Sequence, residues 1–157
     1  METVFKPFLD LLREIYIGSE VEQTWIIDSN PGYGITAAIK ELTAKEASTP
    51  LVRAGSTVAA HTEHLRWSIE FALKFYSGEQ PSGDWEESWM VRKVNETEWE
   101  QLQLALLVAY QKLIYALKEV KDWSNPHLLK GTLALLPHAA YHLGAVKQLI
   151  IAVKAKE

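Results

Sequence analysis

The 157-residue chain is 48% hydrophobic and 23% charged, enough apolar material for one core and a single domain over residues 1–157. Its net charge of −4, with the lysines and arginines scattered, gives no electrostatic reason to expect a nucleic acid or an anionic membrane as partner. The absence of cysteine excludes disulfides, thiolate metal sites and a cysteine nucleophile.

The stretch TVFKPFLDLLREIYIG spaces Phe5, Phe8, Leu9, Leu12, Ile15 and Tyr16 three and four apart, which predicts a first amphipathic helix beginning close before Pro7. Glu2, Asp10 and Glu14 interrupt this opening, so it lacks the layout of a signal peptide. Residues 19–34 hold an alternating run around Trp25 with no second strand to pair with, and read as a loop. GITAAIKELTAKEAS reads as one shorter helix, closed by Ser48, Thr49 and Pro50. The second long helix is STVAAHTEHLRWSIEFALKFYSG, with Ser56 as its N-cap and Gly78 just past its end.

The loop that follows, residues 79–93, carries Trp85 and Trp89; two tryptophans are costly to leave in water, so it is expected to lie against the helices. The third long helix has the clearest start. Asn95 and Glu98 form a capping-box pattern, and Val94 and Trp99 are placed for a hydrophobic staple. SNPHLLKG predicts a short turn of helix, with Asn125 as N-cap, Pro126 at the first position and Gly131 as its stop. HAAYHLGAVKQLIIAVK belongs to the last helix, where Pro137 either sits in the first turn or kinks it. Its apolar stretch is broken by Lys147 and is too short to span a bilayer. Four long helices and no convincing strand predict an all-α helical bundle, soluble and cytoplasmic.

Residues four apart on a helix lie about 40° apart around its axis. His138 and His142 therefore share a stripe with Ala145, Val146, Leu149 and Val153, opposite Lys147. On the second long helix Leu65, Ile69, Phe71, Ala72 and Phe75 make the apolar side, and Glu63, Arg66, Glu70 and Lys74 the wet one. His64 falls near the edge of that apolar side and His61 closer to its centre. Four histidines from two helices thus face one core. A buried neutral imidazole needs a partner for each nitrogen, which several in one core find in each other, in water or in a metal. An i, i+4 pair with a third histidine on a facing helix makes a three-ligand site with an open position, the arrangement of catalytic rather than structural metals. The plainer alternative is a set of hydrogen-bonded core histidines. His127 reads as a surface or capping residue, and Tyr141, at the edge of the stripe, as a packed core tyrosine first and a donor to an oxyanion second. Trp67 reads as lining a pocket mouth or simply packing, and no carboxylate general base points inward.

At these residues the chain resembles the DinB-like superfamily of four-helix-bundle metalloproteins. STVAAHTEHLRWSIE is similar to that family's first histidine helix, and HAAYHLGAVKQ to its HxxxH-x-G block on the last helix. DWEESW and GITAAIKELTAKEAS fit one branch, so the likeness runs from about residue 32 onward. Pro137, and GAVKQ where a Gly-Gln pair is common, depart from the pattern.

The resemblance implies a four-helix bundle of DinB-like type with extra short helices, and a metal triad of His64, His138 and His142. His64 is preferred to His61 because it precedes Leu65 and follows Thr57 by seven residues. His61 is then a fourth ligand, a neighbour that orients a ligand, or a proton carrier; the last two are favoured. The implied cofactor is a divalent transition metal, zinc or nickel first, with iron or manganese as alternatives. It would lower the pKa of a bound water or thiol. The implied function is a metal-dependent transferase or hydrolase acting on a small electrophile, with a low-molecular-weight thiol as co-substrate; the ample apolar faces, not the resemblance, suggest a homodimer. The alternatives are a non-catalytic metal-stabilised bundle and a homodimeric interaction protein.

Overall fold

The structure, a computed structural model, describes residues 2–19, 23–27 and 33–155. Of the loop expected at residues 19–34, residues 20–22 and 28–32 lie outside the described residues. The described residues form no strand. Six α-helices and one 3-10 turn follow in order: α1 (Glu2–Tyr16), α2 (Ile35–Lys40), α3 (Ala44–Ala47), α4 (Val58–Tyr76), the turn Glu87–Trp89, α5 (Glu96–Glu119) and α6 (Pro126–Lys154). Among the described residues no helix is long and apolar enough to cross a membrane.

The predicted periodicity of α1 is the observed one: Phe8, Leu12, Ile15 and Tyr16 are buried, with Phe5 and Leu9 packed at the edge. Pro7 is the sixth residue of α1 and is exposed. Glu14, buried near the end of α1, accepts the backbone N–H groups of Trp25, Ile26 and Ile27 on one carboxylate oxygen, tying the following segment down. The backbones of Gly18 and Gly34 then meet so closely that a Cβ on Gly34 would collide with Ile17 and Gly18.

The single helix expected over residues 34–48 is two. Leu42 turns its carbonyl away to accept the Trp99 indole N–H at 2.8 Å, and Thr43 opens a new helix with a capping box to Glu46. The N-cap of α4 is Thr57 rather than Ser56: the Thr57 hydroxyl accepts from Ala60 N–H and donates to the Arg92 carbonyl. Asn95 and Glu98 form the predicted capping box, and Asn125 caps α6 with Pro126 in its first turn.

The short turn expected at residues 124–131 and the last helix are one continuous 29-residue helix. Gly131 does not stop it, because Leu128, Thr132 and Leu135 at helical spacing all pack inward, and Thr132 is held by the Tyr76 hydroxyl at 2.7 Å. Pro137 lies inside α6 on its exposed side, and the residue whose carbonyl it leaves without an N–H, Leu133, is itself exposed.

Helix α4 packs against both α5 and α6, and α1 packs on α6. Pairing of His61 with His142, His64 with His138 and Tyr76 with Thr132 sets α4 and α6 antiparallel. One apolar cluster joins residues of α1 through α6, with Trp99, Leu106, Leu113 and Leu117 of α5 at its centre.

Candidate metal centre

The antiparallel register brings the four inward histidines level in two pairs. His61, His64 and His142 are buried and His138 is half-buried. His138 Nε2 lies 3.0 Å from His64 Nε2 and 3.1 Å from His142 Nε2. One ligand atom from each of these three residues falls within 4.8 Å of the others. Two nitrogens bound to one metal at about 2.05 Å stand about 2.9 Å apart at a right angle and about 3.3 Å apart at the tetrahedral angle. The observed separations lie between those limits.

A ring nitrogen carries either one proton or one lone pair, so His138 Nε2 cannot make a full hydrogen bond to both neighbours. The protonation of His64 is assigned from its far side. The Ser88 hydroxyl gives its proton to the Trp85 carbonyl at 2.6 Å, so its oxygen accepts from His64 Nδ1–H at 2.7 Å. That leaves the His64 Nε2 lone pair aimed at the cluster. The donor set, imidazole nitrogens without a thiolate or carboxylate, suits a borderline divalent metal such as zinc or nickel.

His61 stands behind His142. Its Nδ1 is 2.8 Å from His142 Nδ1, and its Nε2 is 3.0 Å from Ser56 Oγ. A chain running from His142 Nδ1–H to His61 Nδ1 and from His61 Nε2–H to Ser56 satisfies every atom and keeps the His142 Nε2 lone pair free for the cluster. Ser56 serves this chain instead of capping α4.

Two tryptophans close the site. Trp89 stacks on His64 with centroids 4.2 Å apart, and Trp85 meets the same ring edge-on at 5.0 Å. The loop thus lies against the helices at the histidines, although Trp85 stays half-exposed. Burial disfavours charge on all four imidazoles. It holds His61 and His64 down to about 4, His142 to about 3, and His138 below its ordinary value; repulsion between neighbouring rings adds to this at His64 and His142. All four are neutral at pH 7, the state in which imidazole binds a metal.

Two other expectations, on Tyr141 and on part of the apolar side of α4, meet corrections. Tyr141 is 71% exposed and touches His142 only with ring edges, so it is no core tyrosine. Phe71, Ala72 and Phe75 are half-buried around a cavity rather than core, unlike Leu65 and Ile69. Glu63 and Glu70 both pair with Arg66, away from the cluster. His127 is exposed near Phe75, and Trp67 stacks on Phe71. Sequence reasoning missed Ser88, whose only signal was a small hydroxyl residue three after Trp85 and one before Trp89.

Ser88→Ala removes the acceptor that fixes His64. Zinc affinity, measured by competition with a chromogenic chelator, is expected to fall about 10- to 100-fold. Unchanged affinity would show that Ser88 does not set the ligand. Comparisons of the chain with protein-family models, curated proteins and solved structures find no match.

Proposed function

We propose that the chain is a metal-dependent enzyme in which His64, His138 and His142 hold one divalent transition metal. Zinc or nickel is the first choice, and iron or manganese the alternative. The observation that carries this reading is the meeting of three Nε2 atoms, one of them assigned its lone pair by Ser88 and Trp85. The likeness of the two histidine blocks to the DinB-like superfamily supports the same triad, and with it a DinB-type bundle.

A divalent metal held here would acidify a water or thiol and polarise an electrophile. The chain's own residues do the rest. His64, His138 and His142 give three neutral donors and no net charge, so the centre keeps its full positive charge for a substrate. Because His61 has both nitrogens engaged, with His142 and Ser56, it orients His142 rather than closing the site. Trp85 and Trp89 limit water at His64. The proposed reaction is transfer of a low-molecular-weight thiol to, or hydrolysis of, a small electrophile; a chain without cysteine draws its thiol from outside.

The test is turnover of tag-free protein loaded in turn with zinc, nickel, iron and manganese, using an activated aryl halide with a small thiol, and an activated ester. At least one metal is expected to give a rate that chelator abolishes and readdition restores. One observation favours a second reading. The triad ties α4 to α6 inside the core, where a metal is also a cross-link. Stoichiometric metal with no rate above the chelated protein would select that non-catalytic, metal-stabilised bundle.

A further inference from the structure

A cavity of about 270 Å³ opens between α4 and α6 beside the histidines. Its walls include Phe71, Phe75, Trp85, Leu128, Leu135 and, at one end, His138. We propose that this cavity is the substrate pocket of the histidine centre and takes an uncharged aromatic or short branched apolar group. It would hold the reacting end of the molecule at His138. The inference rests on the metal reading and supplies its substrate class.

Continuity is the first support: the ring that contributes to the triad is also cavity wall. Leu135 lies one helical turn before His138 on α6, about 4.5 Å along the axis, so a ring seated there reaches the triad through one or two bonds.

Chemistry of the lining is the second. Among the described residues no aspartate, glutamate, lysine or arginine lines the cavity; its titratable side chains are His138 at one end and the exposed His127, eleven residues earlier on α6. Its hydroxyl protons are already committed. Ser68 donates to the His64 carbonyl, Thr132 donates to the Leu128 carbonyl, and Thr132 therefore accepts the Tyr76 proton. These hydroxyls have nothing to give a carboxylate or phosphate, and away from the exposed His127 a charge buried against Phe71, Leu128 and Leu135 would go unpaired.

Size and rigidity are the third. A dry cavity of about 150 Å³ admits benzene, so this one admits a ring with a substituent. Trp67 stacks on Phe71 and meets Trp85 edge-on, and Gly83 lies so near both Trp67 and Phe71 that a Cβ there would be 3.0 and 3.1 Å from them. The aromatic wall is therefore braced from behind.

Gly131 supplies the test, because it lines the cavity and a Cβ on it meets nothing within 4 Å. Gly131→Leu adds bulk at the cavity from α6, at a position whose Cβ has open space, and Ala72→Phe adds it from α4. Binding of 4-fluorobenzyl alcohol, 4-fluorobenzoate and 4-fluorobenzylammonium is followed by fluorine NMR on zinc-loaded and on chelated protein. On chelated protein the neutral probe is expected to bind at least tenfold tighter than either ion, and in both states each filling variant to weaken it at least tenfold with unchanged circular dichroism. Equal binding of all three probes, or wild-type binding by the filled variants, would overturn the pocket.

The link to the metal is read separately on zinc-loaded protein. Benzohydroxamate is expected to bind at least tenfold tighter than acetohydroxamate, with Gly131→Leu erasing the difference. A difference that survives Gly131→Leu overturns the placement. If zinc does not bind at all while the neutral probe does, the metal reading fails, and with it the assignment of this cavity to a metal substrate.

Discussion

His142→Ala is expected to leave the protein without metal. By elemental analysis, tag-free wild type should carry close to one transition metal per chain and the variant almost none. The magnitude follows from the ligand count. Structural zinc sites of four ligands are worth about 10–16 kcal/mol, so each ligand contributes on the order of 3 kcal/mol, a loss of a hundredfold or more in affinity. His142 carries a second function, since its Nδ1 is the point where His61 and Ser56 reach the site. His61→Ala should therefore behave differently, keeping the stoichiometry while losing about 10- to 100-fold in affinity. The order of the two variants separates a ligand from its support. Equal loss from both would make His61 a ligand and the site closed. Metal-free wild type that neither binds zinc or nickel nor gains melting temperature from them would sink the triad.

The histidine geometry was legible because it depends on spacing alone. His138 and His142 are four apart on a helix whose other inward residues, Val146, Leu149 and Val153, are indeed buried, and no tertiary detail moves them off that face. The capping box at Asn95 and the cap at Asn125 were legible for a similar reason, since each satisfies its own N–H groups within three residues. What escaped depends on partners distant in sequence. Past the end of α2 at Lys40, the Leu42 carbonyl goes to an indole 57 residues away instead of into a continued helix. Ser56 loses the cap of α4 to Thr57, whose hydroxyl is held by the Arg92 carbonyl 35 residues on, and Ser56 meets His61 instead. Gly131 and Pro137, two residues that ordinarily end helices, lie within α6 because packing of Leu128, Thr132 and Leu135 on α4 and the solvent-facing position of Pro137 outweigh local preference. Ser88 was invisible because a serine between tryptophans signals nothing until both its oxygen contacts are known.

Chelated protein should be acid-sensitive in a window set by these histidines. In the unfolded chain each imidazole takes up a proton near its ordinary value of about 6.5. In the folded chain burial, and then repulsion between the rings, delays uptake to about 4 at His61 and His64 and about 3 at His142, and lowers His138 as well. Between those values the unfolded state binds more protons than the folded one, so stability falls as pH falls. Each histidine neutral in the fold but charged in the unfolded chain removes about 1.4 kcal/mol per pH unit. The full stability is present above about pH 6.5 and drains away toward pH 4 and below. A bound metal changes the competition, because protons must first displace it from three lone pairs. Loaded protein should therefore hold its stability to lower pH and then lose it over a narrower range. Urea midpoints of chelated protein at half-unit steps from pH 7.5 to 4.5 measure this directly. Replacing His61 and His142 together by glutamine, which stays neutral throughout, should flatten the curve. A wild-type midpoint constant from pH 7 to 5 would mean that the imidazoles reach protons in the folded state, and that the cluster is not the dry, neutral set of donors that the metal reading requires.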